Sequence, residues 1–279
     1  MSFNPDRINI HELTIEEPEK QTELPFDVER DVSKEDWERM WQSLENSRKY
    51  DNQIDFSTTA MCFKILDPKV DLNLNEADLD GMRSNLEMFR NKIPSDWQNF
   101  YKQAAELKII DPKIDIKLDK ARWDGEMPRD AIAKSLLESS EHNINWHGFA
   151  TCSMRIKIID PGMDLNLDES IWNEMHQELE GYRSHNNWKG FARQATEMKI
   201  LDPKIELNLD RGAWEGMHQK LEMCRSFKFV RDFMQQVKNM KILAAEKLEV
   251  TENGLELTMS KKRESLDGGV PPIPEIKKF

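Results

Sequence analysis

One five-residue segment, Lys-Ile-Leu/Ile-Asp-Pro, occurs four times and constrains the fold more than any other feature of the chain. The copies start at residues 64, 108, 157 and 199, and a degenerate fifth copy, Lys-Ile-Leu-Ala-Ala, starts at residue 241. Successive starts are 44, 49, 42 and 42 residues apart. Self-similarity at such a period is the signature of repeat architectures, in which one supersecondary unit stacks on its neighbours. The sequence therefore predicts five copies of a unit of about 42 residues.

A helix start follows each of the four intact copies. An alternating apolar stretch leads to a residue suited to cap a helix, and a start of the same kind lies upstream; these cap positions are Ser33, Asn75, Asp119, Asp168 and Asp210. Such side chains accept a hydrogen bond from an unpaired backbone N–H at a helix N-terminus. A large apolar residue four positions later, such as Trp172 or Trp214, begins an amphipathic stripe. We predict that the first helix of each unit begins at these caps.

A second helix is predicted in each unit, on a Trp-x-x-Phe-x-x-x-Ala-x-x-Met stripe that is clearest at residues 188–198. It ends at the Lys-Ile-Leu/Ile motif, because the proline after aspartate forces the chain out of the α region. Three glycines, Gly81, Gly125 and Gly216, share one position in the first helix. A glycine there costs about 0.5–1 kcal/mol relative to alanine, so we expect it to permit a close approach of neighbouring helices.

These patterns predict a mainly α fold, a solenoid-like array of five helix-helix repeats with short extended or β segments between units. Stacked copies share a continuous core, so we expect an elongated array. The alternating segments form either short strands that pair locally, which we favour, or isolated extended linkers. Residues 248–259 predict a C-terminal β-hairpin cap, because Asn253-Gly254 suits a type I′ turn. That turn pairs Val250 with Leu257 and Leu248 with Met259.

The flanks differ from the repeat region in charge and composition. Residues 1–32 carry half of the net charge of −12, and the last twenty residues combine charge, glycine and proline. We therefore predict an acidic flexible tail over residues 1–24, a repeat domain over residues 25–259, and a flexible proline-containing tail over residues 260–279.

Composition narrows the classes of protein that fit. No run approaches 18 consecutive apolar residues, which argues against a membrane span. The three cysteines, Cys62, Cys152 and Cys224, show no C-x-x-C spacing, which favours a reducing, cytoplasmic location over a disulfide framework. The acidic balance makes nucleic acid an unlikely partner, and RNA binding by a helical repeat is the least favoured alternative.

The sequence contains no known catalytic motif, so we predict no catalytic residues, no metal and no cofactor. Acidic triplets such as Asp164-x-Asn166-x-Asp168 mimic the opening of a calcium loop but lack the glycine and glutamate that the loop needs. His176 and His218 share a repeat position, yet no convergent ligands accompany them.

The largest departure from the 42-residue period is an insertion of seven residues in the second unit, between Trp123 and Leu137. Its residues Met127, Pro128 and Arg129 are the predicted binding residues, with neutral length variation as the other interpretation.

Extended solenoids offer long concave surfaces. We accordingly predict a non-enzymatic protein-binding or scaffolding protein with an unidentified protein partner. The alternative is an enzyme or ligand-binding protein with an unrecognised pocket, which predicts a deep cavity holding perturbed titratable groups.

Overall fold

The computed structural model describes residues 26–92, 96–116 and 146–259, and there the chain is mainly helical with one small antiparallel hairpin. No helix in these ranges is long and apolar enough to cross a membrane. The described helices are α1 (Val28–Asp31), α2 (Lys34–Lys49), α3 (Gln53–Leu66), α4 (Glu76–Asn91), α5 (Trp97–Ile110), α6 (Trp146–Ile159), α7 (Glu169–Ser184), α8 (Trp188–Leu201), α9 (Arg211–Ser226) and α10 (Val230–Ala244). The strands are β1 (Lys247–Thr251) and β2 (Gly254–Thr258).

Side-chain caps start the first helix of four helix pairs, as the sequence predicts. The side chains of Ser33, Asn75, Asp168 and Asp210 each accept a hydrogen bond from the backbone N–H three residues later. Each bond satisfies a donor that the helix itself leaves unpaired. The fifth predicted cap, Asp119, lies outside the described residues.

The Lys-Ile-Leu/Ile-Asp-Pro motif ends the second helices. The aspartate after the helix is extended at Asp67, Asp111 and Asp202. The motif lysine then closes the turn: Lys64 Nζ donates to the Val70 carbonyl, and Lys108 Nζ donates to the Pro112 carbonyl, both at 2.8 Å. The lysine therefore satisfies a carbonyl of the linker as well as lying at the negative end of the helix dipole.

The second helices predicted for the five units are all described; they are called the inner helices and pack in a closed ring of α3, α5, α6, α8 and α10. Each contacts the next in this order, and α10 contacts α3. The first helices that the structure describes, called the outer helices, each contact two consecutive inner helices; they are α2, α4, α7 and α9. The expectation of an elongated array is therefore wrong, because the last helix pair lies against the first.

An arginine in the last turn of an outer helix reaches forward to the next outer helix. Arg48 of α2 contacts Asp78 of α4 at 3.2 Å and donates to the Leu72 carbonyl at 3.2 Å. Its guanidinium also lies 5.2 Å from the centre of the Phe56 ring on α3, within range of a cation–π attraction. One arginine thus joins two consecutive helix pairs.

The same contact closes the ring at the seam, the surface where α9 and α10 meet α2 and α3. Arg225 of α9 contacts Asp36 of α2 at 2.9 Å and donates to the Asp31 carbonyl at 2.7 Å. Its guanidinium lies 5.2 Å from the Phe233 ring. Lys241 of α10 also donates across the seam to the Leu66 carbonyl. The chain therefore returns to its start through contacts of the kind that join consecutive pairs.

Two of the three singled-out glycines accommodate an inner helix. A Cβ on Gly216 would overlap the Trp188 ring, and a Cβ on Gly81 would lie 2.7 Å from the Gln53 side chain. Trp188 and Gln53 are the first residues of α8 and α3. The close approach expected at these glycines is confirmed, and Gly125 lies outside the described residues.

The alternating segments between pairs are extended linkers. In the described ranges only β1 and β2 form a sheet, so the favoured local strand pairing of these segments is wrong. Asn73 and Asn166 adopt left-handed φ values of 47° and 49°, which interrupt a regular strand. Spacing gives the reason, since packed helices are about 8–10 Å apart and paired strands about 4.8 Å.

The C-terminal hairpin is confirmed, but its predicted register is wrong. Leu248 pairs with Leu257, and Val250 pairs with Leu255. The turn lies at Glu252 and Asn253, and Gly254, at φ +95°, begins β2. The glycine supplies its positive φ just after the turn, and this shifts the partners by two residues relative to an Asn-Gly turn.

Replacing Gly216 with alanine should destabilise the protein by about 1–3 kcal/mol, because the new methyl group overlaps the Trp188 ring. The matched control is Gly181→Ala on α7, where the Cβ meets nothing within 4 Å. That change should stabilise by about 0.5–1 kcal/mol through helix propensity. Urea denaturation measures both, and equal effects would contradict the packing assignment.

Replacing Arg225 with alanine should lower the free energy of unfolding by about 2–4 kcal/mol, because Asp36 is 2% exposed and loses its cross-seam partner. Arg211→Ala is the control, since Arg211 makes only an exposed pair with Glu215 on its own helix. We expect it to cost under about 0.5 kcal/mol. A closed seam is contradicted if urea denaturation gives the two variants the same loss.

Candidate functional site

The ring of inner helices encloses a cavity of about 360 Å³, called the lumen. All five inner helices line it, and so does Leu255 of β2. The hairpin contacts α5, α6 and α8, and Gly254 lies beside the Lys108 carbonyl in the last turn of α5. The hairpin thus covers the lumen at the C-terminal ends of these helices. The volume falls in the range of small-molecule sites.

Isoleucines line the end of the lumen nearest the hairpin. The first isoleucine of every copy of the Lys-Ile-Leu/Ile motif contributes, one from each inner helix: Ile65, Ile109, Ile158, Ile200 and Ile242. Together with Leu255 they form an apolar surface, called the floor. The repeated motif therefore shapes the cavity as well as ending the helices.

Charged side chains line the rest of the lumen. Six are basic and three are acidic among the described residues, an excess of positive charge inside a chain of net charge −12. Two of the six belong to the rim, where Lys189 pairs with Asp232 at 2.9 Å and Arg231 pairs with Asp55 at 3.2 Å. The other four come from the inner helices: Lys102, Arg155, Arg193 and Lys238.

The two inner carboxylates are held by hydrogen bonds between neighbouring inner helices. Glu106 of α5 accepts from the hydroxyls of Ser57 and Thr58 on α3, at 2.7 and 2.8 Å. Lys102 Nζ lies 3.8 Å from it. Because Glu106 is buried and these hydroxyls satisfy it, its first role is to fix α5 against α3.

Glu197 of α8 makes the corresponding connection to α6. It accepts from the Thr151 hydroxyl at 2.6 Å and from Arg193 Nε at 3.2 Å, and His147 Nδ1 lies 3.4 Å away. Burial alone would raise the pKa of Glu197. The hydrogen bonds and charges of His147 and Arg193, with the Thr151 hydroxyl, outweigh burial and hold that pKa below its ordinary value.

Among the described residues, Arg155 and Lys238 are the two lumen cations that form no ion pair. Arg155 donates to the Gln98 carbonyl at 3.4 Å, and Lys238 donates to the Gln235 side-chain oxygen at 2.9 Å. In the described ranges neither forms an ion pair with a carboxylate, and burial lowers the pKa of both. Glu106 and Glu197 act on both electrostatically from beyond ion-pair distance. An anion entering the lumen would meet two incompletely compensated cations.

The sequence-predicted binding residues Met127, Pro128 and Arg129 lie outside the described residues. The sequence does not reveal the lumen, because the elongated array that it predicts has no enclosed interior for the charged positions of the second helices to face. Two features of the sequence do indicate that the inner helices are buried on several sides. These helices carry apolar residues on more than one face, and an isoleucine follows the motif lysine in every copy.

The metal-like patterns have local structural roles. Asp71 and Asp164 accept hydrogen bonds from the backbone N–H groups of Asn73 and Asn166, at 2.8 and 2.9 Å. These bonds fit the left-handed turns at the two asparagines. His218 lies against Phe26, with ring centres 6.1 Å apart. No group of three or more His, Cys, Asp or Glu side chains in the described part of the chain is placed to hold a metal ion.

Comparison with protein families, curated proteins and solved structures finds no match to this chain.

Glu197→Gln should destabilise the protein more at pH 5.5 than at pH 4. A carboxyl whose pKa is lowered on folding stabilises the fold above its ordinary value of 4.5, and this contribution is lost as the pH falls. The measurement is the difference in free energy of unfolding from the wild-type protein at the two pH values.

Glu178→Gln is the matched control of opposite sign. Burial raises the pKa of Glu178 despite its 3.0 Å hydrogen bond from Tyr182. The fold therefore favours the protonated form of Glu178. The stability that this form contributes to the wild-type protein is lost as the pH rises above 4.5. The variant should gain relative to the wild-type protein from pH 4 to 5.5, and slopes of the same sign for both variants would contradict the assignment.

Proposed function

We propose that the protein binds a small anionic ligand in the lumen. The observation that carries this proposal is the pair Arg155 and Lys238, two cations at the cavity wall without a carboxylate partner in the described structure. Burying uncompensated charge is costly, and proteins retain such groups where a ligand supplies the counter-charge. A guanidinium fork beside an ammonium group suits a carboxylate or a phosphate.

The surrounding charge makes this site selective. The chain carries a net charge of −12, so its exterior repels anions in general. Inside the lumen, basic groups outnumber acidic ones, and the low-dielectric walls strengthen their attraction for a negative group. These features favour an anion small enough to pass the rim over a polyanion that spans the outer surface.

The closed geometry of the ring favours the ligand-binding proposal over the scaffold prediction. The scaffold prediction rests on a long concave surface, and in a closed ring the corresponding surface is the wall of a 360 Å³ cavity. Protein binding by the outer faces stays a prediction, as does a cytoplasmic location. That the protein is not an enzyme also stays a prediction, with an enzyme as its alternative, since the lumen holds titratable groups but no identified reaction.

We also propose that the ring consists of five copies of one helix-helix unit. The recurring Lys-Ile-Leu/Ile motif supports this, as do the forward contacts of three arginines. Arg183 reaches Asp210 at 3.3 Å just as Arg48 and Arg225 reach Asp78 and Asp36.

Lys238→Met and Arg155→Met should weaken binding of inorganic phosphate at least tenfold, because each removes a cation from the lumen. Without ligand, each should stabilise the protein by about 1–2 kcal/mol, since a half-buried uncompensated charge is replaced by an apolar group of similar length. Calorimetric titration and urea denaturation provide the two readouts.

The control is Lys69→Met, which removes an exposed lysine in the linker after α3. It should change neither quantity. The proposal fails if no small carboxylate or phosphate binds the wild-type protein. It also fails if the two lumen variants lose stability and keep their affinity, as purely structural cations would.

A further inference from the structure

We infer that the ligand of the lumen is amphiphilic, with an anionic head group carried on a short apolar chain. This inference rests on the proposed anion-binding function and adds the chemistry of the remainder of the ligand. The observation behind it is that the cations and the isoleucine floor line one continuous cavity.

The two parts of the lumen follow each other along the helix axes. On α6, Ile158 lies three residues after Arg155, and on α10, Ile242 lies four residues after Lys238. At about 1.5 Å per residue, the floor is about 4.5–6 Å beyond the cations. A head group held by Arg155 and Lys238 therefore places its substituent against the isoleucines.

Apolar side chains also line the lumen at the level of the cations. Met61, Ala105 and Met154 contribute on α3, α5 and α6, beside charged residues of the same helices such as Lys102 and Arg155. These apolar side chains belong to the same cavity as the floor. Methionine side chains adapt to irregular shapes, so this wall can follow an alkyl chain of variable form.

A fully polar anion would use only half of these surfaces. Inorganic phosphate satisfies the cations but leaves the isoleucines and methionines facing water. Each methylene moved from water to an apolar wall contributes about fourfold in affinity. An acyl carboxylate or an alkyl phosphate uses both halves, and the two share the chemistry of an anionic head on an apolar chain.

The volume limits the chain length. A cavity of about 360 Å³ is at the lower end of small-molecule sites, and the hairpin covers one end. A long lipid tail does not fit this space. We therefore assign the ligand to short-chain and medium-chain amphiphilic anions.

The test is calorimetric titration of the full chain with acetate, butanoate, hexanoate, hexyl phosphate and inorganic phosphate. We expect hexanoate to bind at least thirtyfold more tightly than acetate, and hexyl phosphate at least thirtyfold more tightly than phosphate. The stronger of the two six-carbon ligands identifies the preferred head group.

The outcomes separate the two proposals. If acetate and phosphate bind as tightly as their six-carbon counterparts, the amphiphilic ligand is overturned and the anion site stands. If none of the five compounds binds, the proposed function itself fails. Affinity that rises with chain length but survives Lys238→Met overturns the placement of the head group.

Two variants locate the apolar chain. Ile200→Thr, in the floor, should weaken hexanoate binding about five- to tenfold and leave phosphate unchanged. Ala105→Leu narrows the cavity beside these apolar side chains and should affect the same ligand in the same direction. Ile205→Thr, a half-buried linker position outside the cavity lining, is the matched control. An equal loss for phosphate and hexanoate in the floor variant would overturn the placement.

Discussion

The ring depends on a recurring arginine contact between outer helices. Arg48 of α2, Arg183 of α7 and Arg225 of α9 each reach a carboxylate at the start of the next described outer helix. Arg48 and Arg225 make the same set of contacts, with a carboxylate, a backbone carbonyl and a phenylalanine ring. One of these contacts joins consecutive helix pairs, and the other joins the last pair to the first. These contacts hold neighbouring helix pairs together around the ring, and the inner helices enclose a lumen instead of lining an open groove.

Closure also explains the unusual polarity of the interior. An inner helix contacts two neighbouring inner helices and outer helices, so only a narrow strip of its surface faces the lumen. That strip carries lysine, arginine and glutamate near the middle of the helix and isoleucine near its end. Hydroxyls of the adjacent helix donate to both glutamates, whereas Arg155 and Lys238 are not matched by carboxylates in the described structure. This imbalance is the observation on which the proposed binding role rests.

Local features were predictable from the sequence, and the global arrangement was not. Caps such as Asn75 and the Asp-Pro helix ends depend on hydrogen bonds and steric limits between residues that are close together in the sequence. Such features can therefore be predicted from the sequence alone. Gly216 was predictable as a site of close approach, though not its partner Trp188. Closure depends on a small rotation between pairs, which leaves no periodic mark in the sequence. The charged lumen positions were missed for the same reason, since Lys238 on an open array would face solvent.

A closed ring limits the number of helix pairs that it can contain. An open array of repeats can gain or lose a member at either end and keep the geometry of those that remain. Here the first and last described pairs contact each other through Arg225 and Asp36, so a further pair inserted between them would have to break this contact and widen the ring of inner helices. A variant of this chain that keeps the ring can therefore change the lumen only through the side chains that face inward.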